Sequence, residues 1–266
     1  MTPVVSIVTP VHNGEAYVRE TIASVQAQTW EDWELLVVDD ASEDESAEIV
    51  EGLAAEDSRI RLFRLERNGG AAVARNAAIQ AAQGRYIAFL DSDDWWVPQK
   101  LEKQIRFMGE AQCGFSFTGL QRVDEAGGEI ALFGVPGRVS YRELLKTNYI
   151  GCSTVMYDSA AFGKVEMPLI RRRQDYGLWL RLLKRTDYAC GINEPLTRYR
   201  VRSGSVSSNK ATTSLFTWRV YREVEGLSLL RSTYCLAHQT GRALIRNRFP
   251  GLARRLGWLH EVGAPG

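Results

Sequence analysis

The first 95 residues alternate short β-branched runs with stretches of helical periodicity. Few folds accept that alternation, because it calls for parallel strands joined by crossover helices. Residues 4–9 form a nearly continuous apolar run, suited to a strand buried on both faces. Val18, Ile22 and Val25 then share one helical face. Residues 34–38 give a second strand, after which Ser42 and Glu45 have the spacing of a capping box opening a helix with Ile49, Val50 and Leu53 inward. Residues 59–65 supply a third strand. A small-residue helix from about Gly70, with Ala74, Ala78 and Ala81 in register, leads through Gly84 into a fourth strand at 86–90. The expected fold class is α/β: a Rossmann-like, mostly parallel sheet flanked by helices.

Beyond Asp91 the alternation breaks. Leu101, Ile105 and Met108 mark a helix, and 114–123 and 129–133 read as strands around a Glu-Ala-Gly-Gly turn. A helix at 141–146, a strand at 153–157, a strong helix at 175–184 and strands at 188–192 and 196–201 follow. The polar stretch 203–214 is the weakest boundary, and the chain beyond it reads as helical. These features predict one domain over 1–205, whose second half (96–205) completes a site begun by the first (1–95), with a C-terminal helical extension over 206–266.

Composition narrows the functional classes. A chain of 266 residues with 45% hydrophobic content buries a full core. Lys plus Arg (33) nearly balance Asp plus Glu (32), which disfavours non-specific nucleic-acid binding. Cys113, Cys152, Cys190 and Cys235 lack the close spacing of a zinc site or a stapled secreted domain and read as reduced, mostly buried thiols. His12, His238 and His260 have no metal-ligand spacing. No leader or membrane-length apolar run is visible, so the expected location is cytoplasmic, with peripheral membrane association left open.

Acids gather where such a sheet binds ligands, outside the carboxyl ends of its strands. Asp39 and Asp40 end the second strand, and Asp91, Asp93 and Asp94 follow the fourth. Short hard carboxylates suit Mg²⁺ or Mn²⁺ with positions open to phosphate oxygens. Taken alone, each group fits a turn or a helix cap equally well.

Their order is more specific. Val5-Ser-Ile-Val-Thr-Pro-Val-His-Asn13, Leu36-Val-Val-Asp-Asp-Ala-Ser42, Ala74-Arg-Asn-Ala77 and Gly84-Arg-Tyr-Ile-Ala-Phe-Leu-Asp-Ser-Asp-Asp94 resemble the successive motifs of family-2 glycosyltransferases with the GT-A fold. The resemblance covers roughly the first 205 residues. It implies an inverting, metal-dependent transfer from a nucleotide sugar, usually UDP-linked, to a saccharide or lipid-linked saccharide, most often in bacterial polysaccharide assembly.

By that resemblance Pro10, Val11, Asn13 and Asp40 hold the base and ribose, with Asp39 the less certain acid of the pair. Arg75 sits near the base. Asp91-Ser92-Asp93 is similar to the family's DXD motif, with Asp91 near ribose and metal and Asp93 as the direct metal ligand. Asp94 either touches the sugar or caps a helix, and Trp95 and Trp96 pack either on a sugar face or in the core. Asp175, at the start of its helix, resembles the family's general base, although Gln174 stands where a glutamate is usual. Tyr199-Arg-Val-Arg-Ser-Gly-Ser-Val-Ser207 resembles the late loop over the diphosphate. It offers Arg200 and Arg202 as cations, Ser205 and Ser207 as donors, and Gly204 as a hinge.

Two rivals remain. A sugar nucleotidyltransferase needs an early glycine-rich phosphate loop and lysine, and neither follows Val8. A non-catalytic nucleotide-binding assembly module is disfavoured by intact Asp93 and Asp175. Arg171-Arg-Arg173 is either an anionic-acceptor contact or a solvated loop. In the last segment Ile245, Phe249, Leu252 and Leu256 keep helical spacing among five arginines, with Pro250 interrupting. That pattern fits an anionic membrane surface, packing on the catalytic domain, or a homodimer contact.

Overall fold

A computed structural model of the chain describes residues 3–202 and 210–263. In chain order its elements are β1 (Val5–Val11), α1 (Val18–Gln26), β2 (Trp33–Asp39), α2 (Ser46–Glu56), β3 (Ile60–Arg64), α3 (Ala71–Ala81) and β4 (Tyr86–Phe89). Next come β5 (Trp95–Trp96), α4 (Lys100–Glu110), β6 (Phe115–Val123), β7 (Glu129–Phe133), β8 (Arg138–Val139) and α5 (Tyr141–Leu144). A 3-10 turn (Cys152–Thr154) leads to β9 (Met156–Asp158), α6 (Ser159–Phe162), α7 (Gln174–Leu183) and β10 (Ala189–Arg200). The chain then forms α8 (Lys210–Arg219), a π turn (Val220–Val224), α9 (Leu229–Arg248) and α10 (Pro250–Arg255).

One sheet runs in the order β3-β2-β1-β4-β9-β6-β10-β5, with β7 on β6 and β8 on β10. The β3-β2-β1-β4 side is parallel throughout, as the alternation predicts. Past β4 the sheet becomes mixed: β9 runs antiparallel to both β4 and β6, while β10 lies parallel to β6. The expected strands at 188–192 and 196–201 are one strand, β10, whose register shifts around Pro195, a residue unable to donate to the ladder.

Strand alternation sorts the core onto two faces. Ile7, Leu35 and Val37 point with Val18, Ile22 and Leu101 into one cluster. Val8, Leu36 and Val38 point with Ala74, Ala78 and Trp179 into the other. Gly84 lets β4 start against β1, since a Cβ there would fall 2.6 Å from the Ser6 nitrogen. The capping box expected at Ser42 is absent. Helix α2 begins at Ser46, and Ser42 Oγ instead accepts from the Asn13 amide at 3.0 Å.

Two expectations are overturned. Cys113 and Cys190 form a disulfide, leaving Cys152 and Cys235 free. The pair is far apart in sequence, but β6 and β10 lie side by side, with Cys190 opposite Ser116. Asp94 caps no helix, because β5 follows it and α4 starts only at Lys100.

The C-terminal helices buttress α7. Tyr221 Oη donates to the Leu145 carbonyl at 2.5 Å, and Tyr176 Oη donates to Leu144 at 3.1 Å, so the π turn, α5 and α7 share one buried junction. Helix α7 is buried on nearly all sides, with Trp179 centred 5.4 Å from Phe89 and 5.7 Å from Phe115. Trp179→Ala is expected to cost about 3–5 kcal/mol in urea unfolding, through the cavity it leaves. A loss under about 1 kcal/mol would show that α7 is not a pillar of this core.

Candidate active site

The carboxyl ends of β1, β2 and β4 open at one edge of the sheet, and the acids meet there. Asp40 follows β2 and is buried, its amide bonded to the Val11 carbonyl at 2.8 Å. Both its carboxylate oxygens are used internally: Oδ1 accepts from Gly69 at 2.7 Å and Oδ2 from Gly70 at 2.8 Å. This fixes the loop that opens α3, where Gly70 has φ 86°. Asp39 differs. Its Oδ2 accepts from Ser42 at 3.2 Å, while Oδ1 is buried with no partner. A buried carboxylate oxygen without a donor calls for an explanation, and a ligand donor supplies one. Asp39 thus keeps one carboxylate oxygen without a protein donor, whereas both oxygens of Asp40 are taken.

Pro10 and Val11 are buried at the end of β1. Asn13 takes the left-handed conformation (φ 50°), and its Oδ1 accepts from Glu43 at 2.8 Å, locking the β1 loop to the β2 loop. Thr9 Oγ1 is a second buried polar atom here without a partner.

Asp91, Asp93 and Asp94 crowd the end of β4. Asp94 is buried, accepting from Ser153 Oγ at 2.5 Å and from the Arg200 amide at 3.0 Å. Burial, then repulsion from Asp93 and Asp91, pushes its pKa well above the usual carboxylate range. Burial and Asp91 likewise push Asp93 up, against the pull of Arg202. Arg202 Nε lies 3.1 Å from Asp93 Oδ2. Ser92 turns its carbonyl to Thr21 Oγ1 at 2.9 Å.

Arg75 joins the donor-side acids to the expected base. Its Nη2 lies 2.5 Å from Asp91 Oδ1, and the side chain is buried in α3. Burial works against its charge, but Asp91, Cys152 and Asp175 together outweigh burial and raise its pKa. Asp175 therefore stands within electrostatic reach of the same guanidinium as Asp91. It is half-buried in the first turn of α7, where the helix dipole favours the carboxylate by about 0.3–1 kcal/mol. The neighbouring Gln174 Oε1 and Arg75 Nε are buried without partners.

Other residues singled out in the sequence lie elsewhere. Arg200 is consumed by structure: it pairs with Glu20, donates to the Asp93 and Glu125 carbonyls, and lies between the rings of Tyr17 and Trp95. Trp96 is core, its indole donating to the Ser153 carbonyl at 2.7 Å, and Trp95 is the partner of Arg200. Gly204, Ser205 and Ser207 lie outside the described residues. Ser153 and Cys152, both at the site, gave no sequence signal. Ser153 binds acids 59 and 62 residues away, and nothing local marks it. Burial first, then Asp91, Asp175 and Asp94, pushes the Cys152 thiol well above its usual pKa against Arg75, which keeps it neutral.

Among the described residues no group of three or more His, Cys, Asp or Glu side chains is arranged to hold a metal ion. Asp91 and Asp93 nonetheless fit a hard divalent cation that takes one or two carboxylates and completes its shell with phosphate oxygens and water. Burial, then the charge of Asp91, pushes the pKa of Asp93 up, and a cation at this position would offset that charge.

The family model described as "Glycosyl transferase family 2" matches residues 6–164. TuaG of Bacillus subtilis (strain 168), assigned to teichuronic acid biosynthesis as a glycosyltransferase, is 45% identical over 243 residues, 91% of this chain and 96% of its own. The Escherichia coli UDP-Glc:alpha-D-GlcNAc-diphosphoundecaprenol beta-1,3-glucosyltransferase WfgD is 38% identical over 235 residues, 87% of this chain and 90% of its own. Among solved structures, S. aureus TarS 1–349 in complex with UDP-GlcNAc aligns with TM-score 0.69 at 20% identity, covering 96% of this chain and 78% of that one. The mannosyltransferase PcManGT from Pyrobaculum calidifontis, in complex with GDP-Man and Mn²⁺, aligns with TM-score 0.64 at 14% identity, covering 97% and 79%. These structural likenesses establish the GT-A fold.

The two adjacent acids of β2 should separate by experiment. Asp40→Ala strands two loop amides and is expected to lower stability by about 1–3 kcal/mol in chemical denaturation. Asp39→Ala, which strands one, is expected to cost less. Equal losses would contradict the division of labour drawn here.

Proposed function

The chain belongs to glycosyl transferase family 2, and from that premise we propose that it transfers a sugar, with inversion, from a UDP-linked donor to a hydroxyl of a lipid-linked saccharide. The observation that carries the reading is Arg75, bonded to Asp91 of the donor-side cluster and within electrostatic reach of Asp175 on the opposite wall. Donor diphosphate and acceptor hydroxyl thereby fall to two acids on one site.

Asp39, whose buried Oδ1 has no protein partner, takes the base, and the Asn13 loop walls the ribose. Asp91 and Asp93 would hold a Mg²⁺ or Mn²⁺ ion, which when bound offsets the negative charge that develops on the departing diphosphate. Arg202, already on Asp93, adds a second positive group at that position. Asp175 accepts the acceptor hydroxyl's proton as the oxygen attacks the anomeric carbon in line, giving a β-linked product from an α-linked donor. Arg75 faces Asp175 with its positive charge and fixes Asp91. The WfgD name supports the acceptor class, since that protein acts on a diphosphoundecaprenol-linked sugar. We place the division between catalytic domain and helical extension at residue 205.

Two experiments test this. Asp175→Asn is expected to retain UDP-sugar affinity while transfer falls by about 10²–10⁴-fold. Near-native turnover would remove Asp175 from the mechanism. In calorimetry UDP should bind more tightly with Mn²⁺ present, and Asp93→Ala should abolish that gain. Metal-independent UDP affinity in the unaltered protein would sink the cation site.

A further inference from the structure

The outer face of α9 carries a row of largely exposed apolar residues, in which Tyr234 also has Lys146 Nζ 5.4 Å from its ring centre. Leu230, Tyr234, Ala237, Gly241 and Leu244 lie within about 40° of one line along the helix, at 3.6 residues per turn. Leu230 is 84% exposed, Leu244 65% and Tyr234 51%. The row continues into Phe249, Leu252 and Leu256, also exposed, around the break at Pro250. Seven of the twelve exposed large apolar side chains of the described residues fall within 229–256, and such concentration marks an interaction surface. Three members of the stripe expected from sequence, Phe249, Leu252 and Leu256, belong to this row, while Ile245 is half-buried and Pro250 starts a new helix.

Charge selects the occupant. Residues 229–260 contain six arginines and no aspartate, glutamate or lysine, a formal +6 in a chain of net +1, leaving −5 on the remainder. Arg231 and Arg248 are exposed at the two ends of the row, and Arg255 is exposed beyond it. A second copy laid face to face on α9 would set arginine against arginine. An anionic lipid surface instead takes the apolar row into its headgroup boundary and the arginines at its phosphates. Among the described residues no helix is long and apolar enough to cross a membrane, so α9 would lie along the surface.

The inner face of the same helix holds the base-bearing element. Ser232 and Cys235 are buried, Gln239 Nε2 lies 3.5 Å from Tyr176 Oη, and Arg242 donates to Thr147 Oγ1 at 3.2 Å. Tyr176 is the residue after Asp175. We propose that α9 and α10 dock the protein on an anionic membrane through the Leu230-Tyr234-Leu244 face, bringing the acceptor side of the site to the bilayer. The proposal rests on the lipid-linked acceptor only for its purpose; the surface stands independently of it.

Sedimentation of the full chain with vesicles tests it. The protein should pellet with phosphatidylcholine vesicles containing phosphatidylglycerol, should not pellet with phosphatidylcholine alone, and should be released as NaCl rises from about 0.05 M to about 0.5 M. Leu230→Gln combined with Leu244→Gln should weaken binding by at least about tenfold. Replacing Arg231, Arg248 and Arg255 with Gln should weaken it by about 100-fold, at roughly fivefold per arginine. Both variants should keep UDP affinity, which reports a folded donor site. Failure to bind anionic vesicles, equal binding to neutral ones, or a stable dimer in analytical ultracentrifugation that the leucine variant dissociates would overturn the proposal. The vesicles carry no acceptor, so that failure would leave the transfer reaction untouched, and failed transfer would leave the docking result standing.

Discussion

Three aspartates within four residues at the end of β4 are the constraint around which the site is built. Like charges this close repel strongly once water is removed, and burial first, then that repulsion, pushes the pKa of Asp93 and Asp94 up. The fold meets it with donors drawn from distant segments. Arg75 comes from α3, Ser153 from the 3-10 turn, and the Arg200 amide and Arg202 from the end of β10. Hydrogen bonds to charged groups contribute roughly 1.5–3 kcal/mol each, so the acids pull the second half of the chain onto the first. The crowded acids therefore double as a folding contact: Asp94 ties the end of β4 to β10 through the Arg200 amide.

The acceptor side is held differently. Asp175 owes its place to hydrophobic packing, because α7 is buried around Trp179 and pinned by the tyrosine junction with the π turn and α5. The donor side is thus an electrostatic construction on strand ends, and the base rides on a packed helix. Arg75 is the link. Its guanidinium meets Asp91 directly and Asp175 through the field, so the charge state of either wall is felt by the other.

Legibility followed range. The β-α units up to Asp91 were readable because periodicity is local, and the helix carrying Asp175 was readable for the same reason. What periodicity does not encode is which oxygen of a carboxylate is already spent. Asp39 and Asp40 look alike in sequence. Only the loop at Gly69 and Gly70, 29 and 30 residues on, decides that both oxygens of Asp40 are bound internally, while Asp39 keeps one buried oxygen without a partner. Arg200 and Arg202 are likewise two residues apart on one strand end, so their side chains share a side, yet one meets Glu20 and the other Asp93. Cys113 and Cys190 escaped because the pairing of β6 with β10 brings them together, and no spacing rule reaches across 77 residues. The outward face of α9 escaped because helix phase depends on where the helix starts and breaks, and Pro250 resets it.

The same division explains why donor chemistry is easier to read than acceptor chemistry. Base, ribose and diphosphate present fixed groups, and fixed groups demand fixed acids at strand ends, which leave motifs. An acceptor hydroxyl demands only one carboxylate at the right distance. On the proposed reading a lipid-linked acceptor would add one further demand, that the protein reach a bilayer, and α9 would meet it with an apolar and basic outer face while its inner face contacts α7. Catalytic placement and location thus depend on opposite sides of one helix. Its inner side tolerates little change, because Gln239 and Arg242 contact the core. Its outer side is constrained by nothing within the fold, so an apolar row there reflects a demand from outside it.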